Sequence, residues 1–297
     1  MNYRHAYHAG NFADVLKHVA LVAALGHLAR KDSPYCYLDT HAGRGLYPLD
    51  APETQRAGEY RDGVLRLLDA ETPPPAVARW LDLVRELGVE DGRLRAYPGS
   101  PRFAAACLRP DDRAVLCELE AREADALRAE FRGDARVGVH ARDGYEALLA
   151  LVPPREKRGL VLVDPPYEQT DEFDRLIVSV AGAVKRWPTG VYAIWYPIKH
   201  GGASDRFLIR MRATGIRRQL VAELTVKPDD SPLGLNGAGL LFVNPPWQLD
   251  AELRSALAWL QPRLAAATAR TGGAGANAAA TGAAPRGRWR VEWLVPE

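Results

Sequence analysis

The chain of 297 residues is 47% hydrophobic and 26% charged, a balance that excludes global disorder, collagen-like repeats and a coiled coil. With 39 Lys and Arg against 37 Asp and Glu the net charge is +2, so contact with a polyanion needs a local patch. Three cysteines, Cys36, Cys107 and Cys117, build neither a disulfide framework nor a paired zinc signature. There is no apolar signal segment at the start and no run of about 20 apolar residues. The expectation is a cytoplasmic protein without a membrane segment.

Residues 12–30 repeat Val15, Leu16, Val19, Leu21, Val22, Leu25 and Leu28 at helical spacing, with Asn11 as a cap. YCYLD (35–39) reads as a strand running into the Gly-rich turn THAGRG (40–45). Residues 46–98 show no strand pattern. Two helical stretches, 59–70 and 76–88, flank a proline run at 73–75, and the segment reads as a helical insertion subdomain. The strand-helix rhythm resumes at Ser100 with a helix over 100–108, a strand over 113–118 and a helix over 121–131. A strand over 136–140, a helix over 143–152 and an apolar strand over 158–164 follow. Further on come helix 171–186, strand 191–197, helix 202–214, strands 219–226 and 239–244, and helix 249–267. Residues 265–287 are Ala/Gly/Thr-rich, a composition that predicts a flexible low-complexity loop. WRVEWLV (289–295) alternates as an edge strand does.

Continuous apolar strands alternating with helices predict a parallel, doubly wound, Rossmann-like α/β sheet covered on both faces. Its domain comprises residues 1–45 and 99–297, interrupted by the insertion 46–98. In such a sheet, ligands bind beyond the carboxyl ends of the strands.

Four constellations carry chemistry. In YLDTHAGRG, Gly43 and Gly45 let the backbone approach a ligand, although the third position of a dinucleotide fingerprint is Pro48 and no phosphate loop is present. Carboxylates end the next two strands. Glu118 suits a ribose diol, because a carboxylate accepts two hydrogen bonds; Asp143, beside Gly144, suits an exocyclic amine or serves as a helix cap. VLVDPPYE (161–168) combines the Asp164 carboxylate, two prolines that remove backbone donors, and the flat face of Tyr167. Those groups suit a planar ligand carrying an amino group. FVNPPW (242–247) has a similar shape, but Asn244 donates as well as accepts and is the weaker candidate. Finally, YRHAYHAGNFADVLKH (3–18) gathers Tyr3, Arg4, His5, Tyr7, His8, Lys17 and His18. No cysteine accompanies these histidines, so a lid or a nucleobase contact is preferred to a metal site. Arg206, Arg210, Arg212, Arg217 and Arg218 are candidates for tracking phosphates, as are Arg61, Arg66 and Arg79 in the insertion.

DTHAGRG, Glu118, Asp143-Gly144 and DPPY resemble the motifs of S-adenosylmethionine-dependent amino-methyltransferases. The N-terminal YRHAYHAGNFADVLKH and the insertion behind the glycine loop resemble one family in particular, the bacterial 23S ribosomal RNA adenine-N6-methyltransferase J family. The resemblance implies a methyltransferase sheet with S-adenosylmethionine as cofactor, held at His18, His41, Ser100, Glu118, Asp143, Gly144 and Asp164. It implies Asp164 as the catalytic residue, Tyr3 as a contact to 23S ribosomal RNA, and a single adenine N6 as methyl acceptor. Pro165 and Tyr167 join the substrate side, through a carbonyl acceptor and base stacking. No metal and no partner chain are expected, so the enzyme is read as a monomer. Three other readings stay open: a DNA adenine amino-methyltransferase sharing DPPY, a protein glutamine methyltransferase, for which Asn-Pro-Pro-Tyr would be the natural motif, and a non-catalytic RNA-binding protein on the same fold.

Overall fold

The computed structural model describes residues 5–228, 231–232, 234–271 and 287–296. A short 3-10 turn at His5–Tyr7 leads into α1 (Phe12–Ala29), whose cap is Asn11: its side chain accepts from the amides of Ala13 and Asp14. Strand β1 (Cys36–Asp39) follows. The segment after it holds β2 (Leu46–Pro48), α2 (Pro52–Ala57), α3 (Pro75–Gly88), β3 (Val89–Glu90), β4 (Arg93–Leu94) and β5 (Ala96–Pro98). The rest alternates: α4 (Ser100–Cys107), β6 (Arg113–Glu118), α5 (Ala121–Glu130), β7 (Val137–Ala141), α6 (Gly144–Leu151), β8 (Gly159–Val163), α7 (Glu172–Arg186), β9 (Val191–Ile198) and α8 (Ala203–Ala213). The chain closes with β10 (Gln219–Thr225), β11 (Gly237–Val243), α9 (Leu249–Thr271) and β12 (Trp289–Val295).

The main sheet has the order β12-β10-β11-β9-β8-β1-β6-β7. The five strands from β9 to β7 are parallel, as their continuous apolar runs require. The other end departs from the all-parallel expectation. Among the described residues no helix separates β10 from β11, so the chain turns back directly and the two pair antiparallel; β11 also runs against β9, and β12 against β10. The chain leaves β1 first toward β6 and β7 and then returns on the other side through β8 and β9. The topological switch therefore lies beside β1, and the turns after β1 and β8 are neighbours, with Asp39 in register with Leu162.

Residues on both sheet faces are buried. Tyr37, Leu160, Leu162 and Ala193 face a core with α1, α3, α4 and α9. Leu38, Val161, Val163 and Ile194 face a second core with α6, α7 and α8. Helix α1 is long and apolar enough to cross a bilayer, yet it is largely buried inside the protein. Sheet lies on one side of it and α3, α4 and α9 on the others, which explains why it lacks a polar stripe.

Residues 46–98 are less purely helical than the sequence suggests. Strands β2 and β5 pair, as do β3 and β4, in ladders of two or three residues, too short to show a period. This segment also shares the first core: Trp80, Val77, Leu81 and Val84 of α3 are fully buried in it. Helix α9 continues beyond the expected 267 to Thr271, and the greater part of the Ala/Gly-rich stretch, 272–286, lies outside the described residues.

Truncating Trp80 to Ala should therefore lower the stability of the entire chain by about 3–5 kcal/mol. A single urea transition shifted to lower denaturant is expected. A separate early transition, with the rest unchanged, would show that residues 46–98 fold apart from the sheet.

Candidate active site

A cleft of about 1180 Å³ opens over the carboxyl ends of β1, β6, β7 and β8. Pockets for a single small ligand span about 300–1,000 Å³, so the cleft has room for two. Among the described residues, His18, His41, Ser100, Glu118, Asp143, Gly144, Asp164, Pro165 and Tyr167 all line it. Tyr3 lies outside the described residues.

The glycine turn is tied to the neighbouring strand end. Gly43 sits at φ +62, and its amide donates to Glu118 Oε2 at 2.8 Å. Glu118 Oε1 accepts from the Glu120 amide at 2.8 Å. Burial pushes this carboxyl up, and the two amides counter the rise. Asp143 does both things foreseen for it. Its Oδ1 caps α6 by accepting from the amides of Tyr145 and Glu146. Its Oδ2 lies 3.7 Å from the guanidinium of Arg175, which stacks 4.6 Å over the Tyr145 ring. Gly144 has no room for a side chain, since a Cβ would stand 2.2 Å from the Thr40 carbonyl and against the His41 ring.

Ser100 opens α4 and donates to Asp39 Oδ2 at 2.7 Å. Asp39 is fully buried and also receives the Tyr37 hydroxyl at 2.6 Å and the His41 amide. His18 is fully buried, with Nδ1 paired to the Tyr97 hydroxyl at 2.8 Å. Its Nε2 has no protein partner among the described residues. A buried polar atom on a cleft wall without a partner is one that a ligand can satisfy. Burial lowers His18 well below the usual imidazole range, and lowers His41 to about 4.

Sequence reading missed the role of Lys17, though the residue lies in the N-terminal motif. Asp14, Lys17 and His18 share one face of α1, at spacings of three and four. Lys17 Nζ stands 2.6 Å from Asp164 Oδ2 and 3.0 Å from Asp14 Oδ1, with its side chain only 6% exposed. Asp14 Oδ2 accepts the Gly10 amide and pairs with His5 Nε2 at 3.0 Å. Burial would raise the Asp14 carboxyl, but His5 and Lys17 outweigh it and hold it well below the usual range. The lysine occupies one oxygen of Asp164. The other, Oδ1, has no protein partner among the described residues and remains available to a substrate amine.

Beyond Asp164 the prolines shape the turn. No backbone amide among the described residues donates to the Pro165 carbonyl. Tyr167 adopts a left-handed backbone, φ +52. Its hydroxyl donates to the Trp195 carbonyl at 2.5 Å, and its ring packs on Phe173 and Trp195. The look-alike Asn244 is elsewhere. Because β11 is reversed, Val243 pairs with Tyr192 at the start of β9, so Asn244 emerges at the opposite end of the sheet. Its amide donates to the carbonyls of Pro188 and Gly190, a purely structural task.

The arginines expected to track phosphates do not form one stripe. Arg217 and Arg218 precede β10 and so lie at the far end of the sheet with Asn244, whose amide donates to the Arg218 carbonyl. Arg210 pairs with Asp174, and Arg206 donates to the Gly201 carbonyl. In the insertion, Arg79 binds Glu252 of α9, which also holds His27; Arg66 pairs with Asp62. Arg79 is thus a strut between helices. Among the described residues no cluster of three or more His, Cys, Asp or Glu is arranged to hold a metal.

The chain matches the family described as ribosomal RNA large subunit methyltransferase D, RlmJ, over residues 32–276. It is 39% identical to a ribosomal RNA large subunit methyltransferase J from Haemophilus influenzae, with all of both chains covered. It is 38% identical to one from Escherichia coli, again over both full lengths. A crystal structure of a Legionella pneumophila protein, 33% identical, superposes with a TM-score of 0.83 over 96% of this chain and 98% of that one.

The His41 environment predicts a pH effect on stability. The folded state keeps the ring neutral down to about 4, whereas the unfolded chain protonates near 6.5. The unfolded state therefore binds more protons between those values, and stability falls as pH drops through this window. Replacing His41 with Asn should flatten the decline between pH 6.5 and 4 by up to about 1.4 kcal/mol per pH unit. Identical urea-midpoint profiles for parent and variant would contradict a His41 ring held neutral by the fold.

Proposed function

The chain belongs to the large-subunit ribosomal RNA methyltransferase J family, and from that premise we propose that it methylates the exocyclic N6 of an adenine in 23S ribosomal RNA. One observation carries the assignment to an amine: a carboxylate with one oxygen held by Lys17 and the other without a protein partner among the described residues, followed by two prolines and an aromatic ring, on the wall of the cleft. This donor-poor, acceptor-rich turn matches a group that offers only N–H bonds.

S-adenosylmethionine fits the other part of the cleft. His18 Nε2, without a protein partner among the described residues, and the carboxylates of Glu118 and Asp143 complement a cationic ligand with a ribose diol and an amino-bearing base. His18, His41, Ser100, Glu118, Asp143, Gly144 and Asp164 would hold it. When bound, it supplies an electrophilic methyl group on sulfonium.

The protein's own contribution is orientation and charge. An adenine amine is a weak nucleophile because its lone pair is delocalised into the ring. Asp164 Oδ1 and the Pro165 carbonyl accept its two N–H bonds and favour a lone pair localised on nitrogen. Lys17 fixes the carboxylate through Oδ2, so Oδ1 keeps one direction. Methylated nitrogen sheds a proton, and Asp164 is the base within reach to take it. Tyr167 provides the face on which an extruded base stacks. Holding both reactants in line supplies much of the acceleration. We further propose Tyr3 as an RNA contact, since His5 and His8, which follow it in sequence, line the cleft. The RNA substrate supports a cytoplasmic site of work.

Replacing Asp164 with Ala should reduce methyl transfer to a 23S ribosomal RNA transcript by about 100-fold or more. Lys17→Met should cost activity while leaving cofactor affinity by calorimetry near the parent value. Near-normal turnover in Asp164→Ala would remove the assignment. Replacing Glu118 with Ala should raise the dissociation constant for S-adenosylmethionine at least tenfold, because it frees two amides as well as removing a carboxylate. An unchanged constant would take Glu118 off the cofactor.

A further inference from the structure

The two regions of the cleft differ in charge. Around the glycine turn, Glu118, Glu120, Glu123 and Asp143 suit a cation. Across the cleft, where β9 and β10 end, the wall is Trp195, Pro197, Val226 and Leu235 with two lysines, Lys199 and Lys227. The reversed β11 brings them together. Ile198 pairs with Gly237, and Gly237 pairs with Thr225, so the residues just past β9 and β10 emerge at the same end of the sheet.

Several cations on the cleft wall are held by carboxylates. Arg44, Arg175 and Lys17, also in the cleft, each face a carboxylate. Among the described residues Lys199 and Lys227 have no ion-pair partner. Lys199 also lies near enough to His8 to oppose its protonation, which puts it on the arm side of the cleft. Lys227 is half-buried and Lys199 exposed.

We propose that Lys199 and Lys227 clamp the RNA phosphates flanking the target nucleotide. This rests on the functional reading above and deepens it: the DPPY turn recognises the base, and this pair recognises the backbone that carries it. A base swung out of a stack needs its sugar-phosphate held, since phosphate contacts set register while base contacts set identity. The lysines lie across the sheet from Glu118 and Asp143, so they attract RNA without repelling the cationic cofactor.

The test is methylation of an unmodified 23S ribosomal RNA transcript with radiolabelled S-adenosylmethionine at several salt concentrations. In the double variant Lys199→Ala, Lys227→Ala, KM for the transcript should rise about tenfold or more. The dependence of log kcat/KM on log salt should flatten by about 1.4, roughly 0.7 for each single-strand phosphate that is no longer neutralised. Cofactor affinity by calorimetry should stay at the parent value and serves as the fold control. Should the Ala pair fail that control, the pair Lys199→Gln, Lys227→Gln is read the same way. The Arg pair should restore the salt slope. A double variant with parental KM and slope overturns the clamp while leaving the methyltransferase reading in place. A parent that labels no adenine in the transcript overturns that reading, and the clamp with it.

Discussion

Burying an ammonium group requires immediate compensation, and Lys17 meets that requirement twice, at Asp14 and at Asp164. This constraint joins parts of the protein far apart in sequence. Asp14 and Lys17 belong to the first helix, while Asp164 ends a strand 147 residues later. With Lys17 in place, α1 cannot slide along the sheet without stranding a charge in the core. The same contact leaves one oxygen of Asp164 without a protein partner among the described residues. Structure and chemistry thus draw on a single ion pair, at whose other end Asp14 is steadied by His5 and the Gly10 amide.

A second constraint is strand direction. Two turns of the form X-Pro-Pro-aromatic follow apolar strands, and a polar side chain leads each. Direction alone separates them: β8 delivers Asp164 to the ligand end, and β11 delivers Asn244 to the other. At that far end the asparagine amide closes backbone carbonyls, and Trp247 is 81% exposed. The same reversal brings Lys199 and Lys227 to one rim.

How much of this could be read from residues follows from the range of each interaction. The alternation of apolar runs with helical periods revealed the layered sheet, and each strand-end carboxylate followed from it, because parallel strands all end at one edge. Pairing across long separations was hidden. Helical spacing puts Lys17 beside Asp14, but nothing local indicates Asp164. An apolar strand carries no mark of its direction, so β11 read as one more parallel strand. The ladders of β2 with β5 and β3 with β4 are shorter than any detectable period. Arg79 looks like a phosphate contact until Glu252 is seen opposite it. Asp39 ends the strand YCYLD in plain sight, yet its use by Tyr37 and Ser100 depends on side chains that only folding brings near.

The position of α1 in the chain also matters while the protein is being made. It is synthesised before each of the helices that cover it, and composition alone would let it pass for a membrane span. Its covering arrives late. Helix α9 begins at Leu249, roughly 220 residues after α1 ends at Ala29, so at about 5–20 residues per second the helix waits on the order of 10–40 s for its last neighbour. During that wait the nascent chain displays an apolar rod carrying two charged side chains whose distant partner has not yet been translated. Vectorial synthesis therefore gives this fold an early client for ribosome-bound holdases, and the emerging α4 and α3 its first intramolecular shelter.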